Sequence, residues 1–121
     1  MIVDDMRTVR MLLPAYFVGR DYVFFEAESG EVALQNIPSF QPDLLITDVH
    51  MPGMSGFELC RAAREIPSFS DLPAMLITGD PDLDGLAARH GLNELAALIA
   101  KPLDPEEVRG LVSEMLGEFA D

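Results

Sequence analysis

At 121 residues, 49% hydrophobic and 24% charged, the chain has the length and composition of one globular domain with one core, and disorder is excluded. Eight basic residues against 21 acidic ones leave a net charge of −13, which repels nucleic acid and anionic lipid and favours cationic ligands such as metal ions. No apolar run approaches the ~20 residues of a membrane span, and a lone Cys60 cannot close an internal disulfide, so a soluble protein of the reducing cytoplasm is expected, with Cys60 as inert packing.

Met1-Ile2-Val3 reads as a short first strand that runs into Asp4-Asp5. A helix is predicted from about Arg7 to Val18, with Val9, Leu12, Leu13, Tyr16 and Phe17 suited to the core and Met11 left over. Pro14 removes a backbone hydrogen bond and should kink or shorten it. Tyr22 to Ala27 is the second strand, and Ser29 is placed to cap a helix carrying Ala33, Leu34 and Ile37. The third strand, Leu44 to Val49, runs hydrophobic residues into Asp48 and leaves through Met51-Pro52-Gly53; Ser55-Gly56-Phe57-Glu58 then has the pattern of a capping box.

Ala74 to Thr78 is the fourth strand. The helix after it, Pro81 to Gly91, is short and contains Gly85, which costs about 1 kcal/mol against Ala; His90 belongs at its C-terminal end, where a basic residue suits the helix dipole. Ala96 to Ala100 is the fifth strand, closed by Lys101-Pro102. The last helix has Asp104 at its N-cap, Pro105 at its first position and a stripe of Val108, Leu111, Val112, Met115, Leu116 and Phe119. Ile-Pro-Ser-Phe occurs at 37–40 and again at 66–69, both times where a helix should end, which makes parallel helix exits and not a repeat. Strands alternating with helices predict an α/β fold: a doubly wound, five-stranded parallel sheet with five helices.

In such a sheet ligands bind beyond the carboxyl ends of the strands. Asp4 and Asp5, Asp48, Thr78 and Lys101 all fall at strand ends, hence at one edge. Converging carboxylates repel one another unless a cation is present, and oxygen ligands select a hard cation such as Mg²⁺. With Lys101 as a fixed positive charge and Thr78 as a hydroxyl donor, the edge can stabilise a transferring phosphoryl group, and Asp48, alone on a central strand, is placed to attack as the nucleophile.

At this point the sequence resembles the receiver domain of two-component response regulators. The resemblance covers nearly the whole chain and rests on Ile2-Val3-Asp4-Asp5, Asp48-Val49-His50-Met51-Pro52-Gly53-Met54-Ser55-Gly56, Ile77-Thr78-Gly79 and Lys101-Pro102, with spacings of 43, 30 and 23 residues between Asp5, Asp48, Thr78 and Lys101. It implies a CheY-like (flavodoxin-like) fold, one receiver domain over 1–121 without an effector domain, and a phosphorylation switch that is not a conventional enzyme and only catalyses its own phosphorylation and dephosphorylation. Asp48 would accept a phosphoryl group from a histidine kinase or a histidine phosphotransfer protein. Asp5, Asp48 and the backbone carbonyl of His50 would hold Mg²⁺, with Asp4 acting mainly through water. Thr78 and Lys101 would contact the phosphoryl group, together with the backbone of Val49, His50 and Gly79.

The family's partners contact the start of the first helix and the loop after the lysine, which makes Thr8, Met11, Leu12 and Pro102 the expected partner patch. A downstream effector and a phosphorylation-dependent dimer are further expectations; direct nucleic-acid binding and a membrane are not. The His50 side chain should face solvent at the pocket rim.

Three features depart from the family: Leu98 stands where an aromatic residue often partners the threonine in switching, Pro14 is atypical, and only three residues precede Asp4, as in a chain cut from a longer one or started late. Gly79 also stands where alanine is more usual. Three other functions compete. A haloacid-dehalogenase-type phosphatase would need Asp-x-Asp on the first strand, where this chain has Asp4-Asp5. A receiver fold reduced to a phosphate-insensitive interaction module would have no need of Asp5, Asp48, Thr78 and Lys101 together. A flavodoxin-like cofactor carrier would need a Ser/Thr-rich loop after the first strand, which is absent.

Overall fold

The apolar runs assemble into one sheet. The computed structural model describes residues 1–92 and 95–118. Among these, β1 (Ile2–Val3), β2 (Glu26–Ala27), β3 (Leu45–Asp48), β4 (Ala74–Thr78) and β5 (Ala96–Ala100) pair in the order β2-β1-β3-β4-β5, every pair parallel. The connections are α1 (Arg7–Ala15), α2 (Gly30–Phe40), α3 (Gly56–Arg64), α4 (Leu83–His90) and α5 (Pro105–Met115), with a 3-10 turn at Pro67–Phe69. This is the doubly wound α/β architecture that the alternation of elements predicts.

Strand residues point to opposite faces in turn, so a strand buried on both sides must be apolar throughout. β4 is that case, with all five residues buried. Its Leu76, with Val3 and Leu45, packs toward Ala33 and Ile37 of α2 and Leu59 of α3. Its Met75 and Ile77, with Ile2 and Ile46, pack toward α1 and α5, where Leu13, Phe17, Val108 and Val112 complete a second core.

The predicted caps form. Ser29 Oγ accepts from the Val32 amide at 3.1 Å, Asp104 Oδ1 accepts from Glu106 at 3.0 Å, and Ser55 and Glu58 exchange both bonds of a capping box at 3.2 and 3.3 Å. Gly85 has a local reason: a Cβ there would run into the carboxylate of Asp82, the residue that caps α4.

The sequence reading is corrected in four places. β2 is only Glu26–Ala27, because it pairs with β1 across two residues; Tyr22 and Phe24 instead join Phe17 in a ring cluster with centroids 5.5 to 6.4 Å apart. α1 stops at Ala15, one residue after Pro14, and tight turns carry the chain on to Phe17. Leu12 is 49% exposed and is no part of the core. Of the two Ile-Pro-Ser-Phe segments, the first is the last turn of α2, while the second lies beyond α3 and contains the whole 3-10 turn, with Ile66 at its N-cap. Phe119, the end of the expected stripe on α5, lies outside the described residues.

Candidate functional site: an acidic crevice at the strand ends

The strand order reverses at β1, so the loops leaving β1 and β3 flank a crevice at the carboxyl edge of the sheet. Asp4 follows β1 directly and is 2% exposed, Asp48 is the last residue of β3 and is 5% exposed, and Asp5 stands at the mouth, open to solvent. One carboxylate oxygen from each of the three lies within 4.8 Å of the others, an arrangement that could hold a metal ion. Thr78, fully buried, ends β4 beside this group, and Lys101, next after β5, reaches back so that its Nζ is 3.1 Å from Asp48 Oδ1. Five residues from four distant stretches of the sequence are thereby brought to the same crevice.

The polar accounting of this crevice is incomplete. Asp4 Oδ1 accepts from the Met6 amide at 2.8 Å, but Asp4 Oδ2 and Asp48 Oδ1 are buried without a hydrogen bond. Lys101 stands at ion-pair distance from Asp48 Oδ1 but out of line for a hydrogen bond, so the contact is electrostatic and leaves the oxygen's lone pairs open. Burial pushes the Asp4 carboxyl above the ordinary range, opposed by the Met6 amide and reinforced by the neighbouring charge of Asp48. Ionised Asp4 therefore works against the fold. That cost is absent below the pKa of an unfolded aspartate and grows as pH rises toward the folded value.

The surrounding backbone is fixed by the sheet. The Val49 amide donates to Ile77 O at 2.8 Å in the ladder, and the Lys101 amide donates to Thr78 O at 2.8 Å. Thr78 Oγ1 accepts from the Asp80 amide at 3.1 Å, Asp80 Oδ1 from the Asp82 amide at 2.9 Å, and Asp82 Oδ1 from the Gly85 amide at 3.0 Å. A Cβ on Gly79 would meet nothing within 4 Å, so lack of space does not require glycine there. The peptide between Lys101 and Pro102 is cis.

The His50 side chain is exposed, as expected. Thr8, Met11, Leu12 and Pro102 are all exposed, and Met6, 54% exposed, adds to the apolar surface at the start of α1. His90 ends α4 and is stacked on Phe57 of α3, with ring centroids 3.6 Å apart and planes 6° from parallel. A cavity of about 440 Å³ lined by Phe17, Tyr22, Phe24 and Leu44 lies at the opposite end of the strands and contains none of the crevice residues.

Two neighbours of the crevice escaped sequence reasoning. Arg10 Nη1 donates to the carbonyl of Asp4 at 2.7 Å, with its Nε 4.0 Å from Glu26, and Glu31 Oε1 accepts from the Met54 amide at 2.9 Å. Both are long side chains that reach across to another element, a contact that no local spacing encodes.

A parallel sheet that gathers an aspartate pair, a lone aspartate, a threonine and a lysine at its carboxyl edge defines a phosphoacceptor of two-component signalling. The chain belongs to the response regulator receiver domain family, which it matches over residues 1–113. It is 32% identical over 116 residues to sporulation initiation phosphotransferase F of Bacillus subtilis, covering 96% of this chain and 91% of that protein. To chemotaxis protein CheY of Pseudomonas aeruginosa it is 32% identical over 120 residues, covering 95% and 93%. Response regulator PleD of Caulobacter vibrioides is 36% identical over 106 residues, but there the chain spans 86% of its own length and only 23% of the relative. Among solved structures, CheY4 of Vibrio cholerae superposes with a TM-score of 0.81 at 25% identity, covering 94% of each chain. Receiver domains are phosphoacceptor switches and not conventional enzymes, which sets aside the phosphatase and cofactor-carrier readings. No helix among the described residues is long and apolar enough to cross a membrane.

Proposed function

We propose that the crevice is a Mg²⁺-dependent phosphoryl-acceptor site and that Asp48 is the acceptor. The observation that carries this reading is the pair of buried oxygens, Asp4 Oδ2 and Asp48 Oδ1, without hydrogen bonds beside a third carboxylate. An orphaned, anionic, all-oxygen donor set fits a hard divalent cation. Asp5, Asp48 and the His50 carbonyl are the residues to hold it, with Asp4 acting through water; when bound, the ion neutralises charge on the phosphoryl oxygens. A carboxylate oxygen of Asp48 attacks the phosphorus of a phosphohistidine on a sensor kinase or phosphotransfer protein. The P–N bond breaks, its electron pair stays on that nitrogen, and the histidine, protonated beforehand on its other ring nitrogen, leaves as neutral imidazole. Lys101 pairs with one phosphoryl oxygen and the Thr78 hydroxyl donates to another, with the backbone of Val49, His50 and Gly79 as further contacts. Thr8, Met11, Leu12 and Pro102 form the surface that the donor meets. The output is a change in binding to a downstream effector, or dimerisation, within the cytoplasm.

Magnesium titration tests the site. Millimolar Mg²⁺ is expected to raise the melting temperature of the wild-type chain, since a ligand selective for the native state stabilises it. Asp5→Asn removes one of three repelling charges, so it should melt higher without metal and gain less from it. Equal melting curves for both proteins with and without Mg²⁺ would remove the metal site from the proposal.

Leu98 bears on how the switch works. It is half-buried and packs toward the same core as Leu86 of α4. A leucine packs equally well in two loop states and so gives little differential energy between them. On addition of beryllium fluoride, backbone NMR shifts are expected across Thr78 to His90 while the Leu98 methyls stay nearly still. A large Leu98 shift beside a silent Asp80 to His90 segment contradicts this.

A further inference from the structure

The loop from Val49 to Gly56 carries the His50 carbonyl, and two ties determine its course. At its base the Val49 amide is held by Ile77, and the Gly56 amide donates to Val49 O at 2.9 Å. The second tie comes from another element. Glu31, in the first turn of α2, accepts from the Met54 amide at 2.9 Å. The two segments are also in contact: a Cβ on Gly30 would lie 3.0 Å from Met54 Cβ, Cγ and Sδ, and one on Gly53 would lie 3.0 Å from Glu31 Oε1. Glu31 is itself held in place, because Ser29 caps the helix turn that bears it. His50 to Gly53 therefore hang between a fixed base and a tip clasped by α2.

We infer that Glu31 is a positioning residue: by holding the Met54 amide it sets the loop that aims the His50 carbonyl into the acidic crevice, and so sets the affinity for Mg²⁺. This inference rests on the crevice being the metal site proposed above. Among the described residues Glu31 makes no hydrogen bond to the crevice carboxylates, so its positioning effect passes through the loop. A carboxylate in this place could also act at a distance, by adding negative charge near a cation site. The hydrogen bond needs only an acceptor oxygen, which glutamine supplies without charge.

Calorimetric Mg²⁺ titration of wild type, Glu31→Ala, Glu31→Gln and Asp5→Asn separates these effects, with hydrogen exchange at the Met54 amide measured without metal. Glu31→Ala is expected to bind Mg²⁺ about fivefold more weakly, as for loss of one hydrogen bond, and to speed Met54 exchange. Glu31→Gln is expected within about twofold of wild type in both measurements. Wild-type affinity in Glu31→Ala, or equal losses in the Ala and Gln variants, overturns the inference and leaves the metal site standing. Unchanged Mg²⁺ binding in Asp5→Asn overturns the metal-site reading itself, and the role of Glu31 with it.

Discussion

Asp48→Asn is expected to slow phosphoryl incorporation from acetyl phosphate and Mg²⁺ by roughly a thousandfold or more, as for removal of an essential nucleophile. An amide oxygen keeps the shape of the carboxylate but is a poor nucleophile and cannot form a stable acyl phosphate. The fold should survive, because the change keeps volume and removes one of three repelling charges from a crevice with two unbonded buried oxygens. Lys101 loses its partner at 3.1 Å, but its side chain is 38% exposed and can turn to water. Intact-mass spectrometry gives the readout: one added phosphoryl group on the wild type, none on the variant, and in the wild type a modified peptide containing Asp48. Undiminished labelling of Asp48→Asn would place the nucleophile elsewhere and end the central proposal.

Gly56→Ala is expected to damage the fold more than any surface change. A Cβ on Gly56 would penetrate the carbonyl oxygen of Asp48 and lie 3.1 Å from Asp48 C and Val49 Cα. These are backbone atoms at the end of a central strand, fixed by the ladder, so the clash cannot be relieved by turning a side chain. Overpacking of this kind costs about 3 kcal/mol or more, which for a chain of this size lowers the melting temperature by roughly 10 °C. Gly79→Ala is the matched control, since a Cβ there meets nothing. Similar melting temperatures for the two variants would show that α3 can slide away from the strand end, contrary to the close packing described.

Most of the fold was legible because its signals are local. β4 and β5 have the bounds read from their apolar runs, and Ser29, Ser55 and Asp104 cap the helices that follow them. The strand-end residues were legible too, because topology alone sends every parallel strand end to one edge. What the sequence hid depends on neighbours. Tyr22 to Phe25 has strand composition, yet β1 reaches back no further than the Phe25 carbonyl and is in register only with Glu26 and Ala27. Leu12 lies on the border of the apolar stripe of α1, and which flank meets the sheet depends on a helix rotation that periodicity does not specify. Arg10 and Glu31 look like ordinary solvated charges until the loops they hold are brought next to them.

The three bonds from Thr78 through Asp80 and Asp82 to Gly85 give the β4–α4 segment a mechanical character. Each is a side-chain oxygen gripping an amide two or three residues onward, so Thr78 cannot be pulled inward without load passing along the series. The load arrives at the N-cap of α4, a bond whose loss costs about 1 kcal/mol in a helix of only eight residues with a glycine in its first turn. A short helix that loses its cap frays from the end. In the switch proposed above, with leucine and not an aromatic ring at position 98, the winding of α4 is the variable that a partner would read, through the entropy of rewinding it.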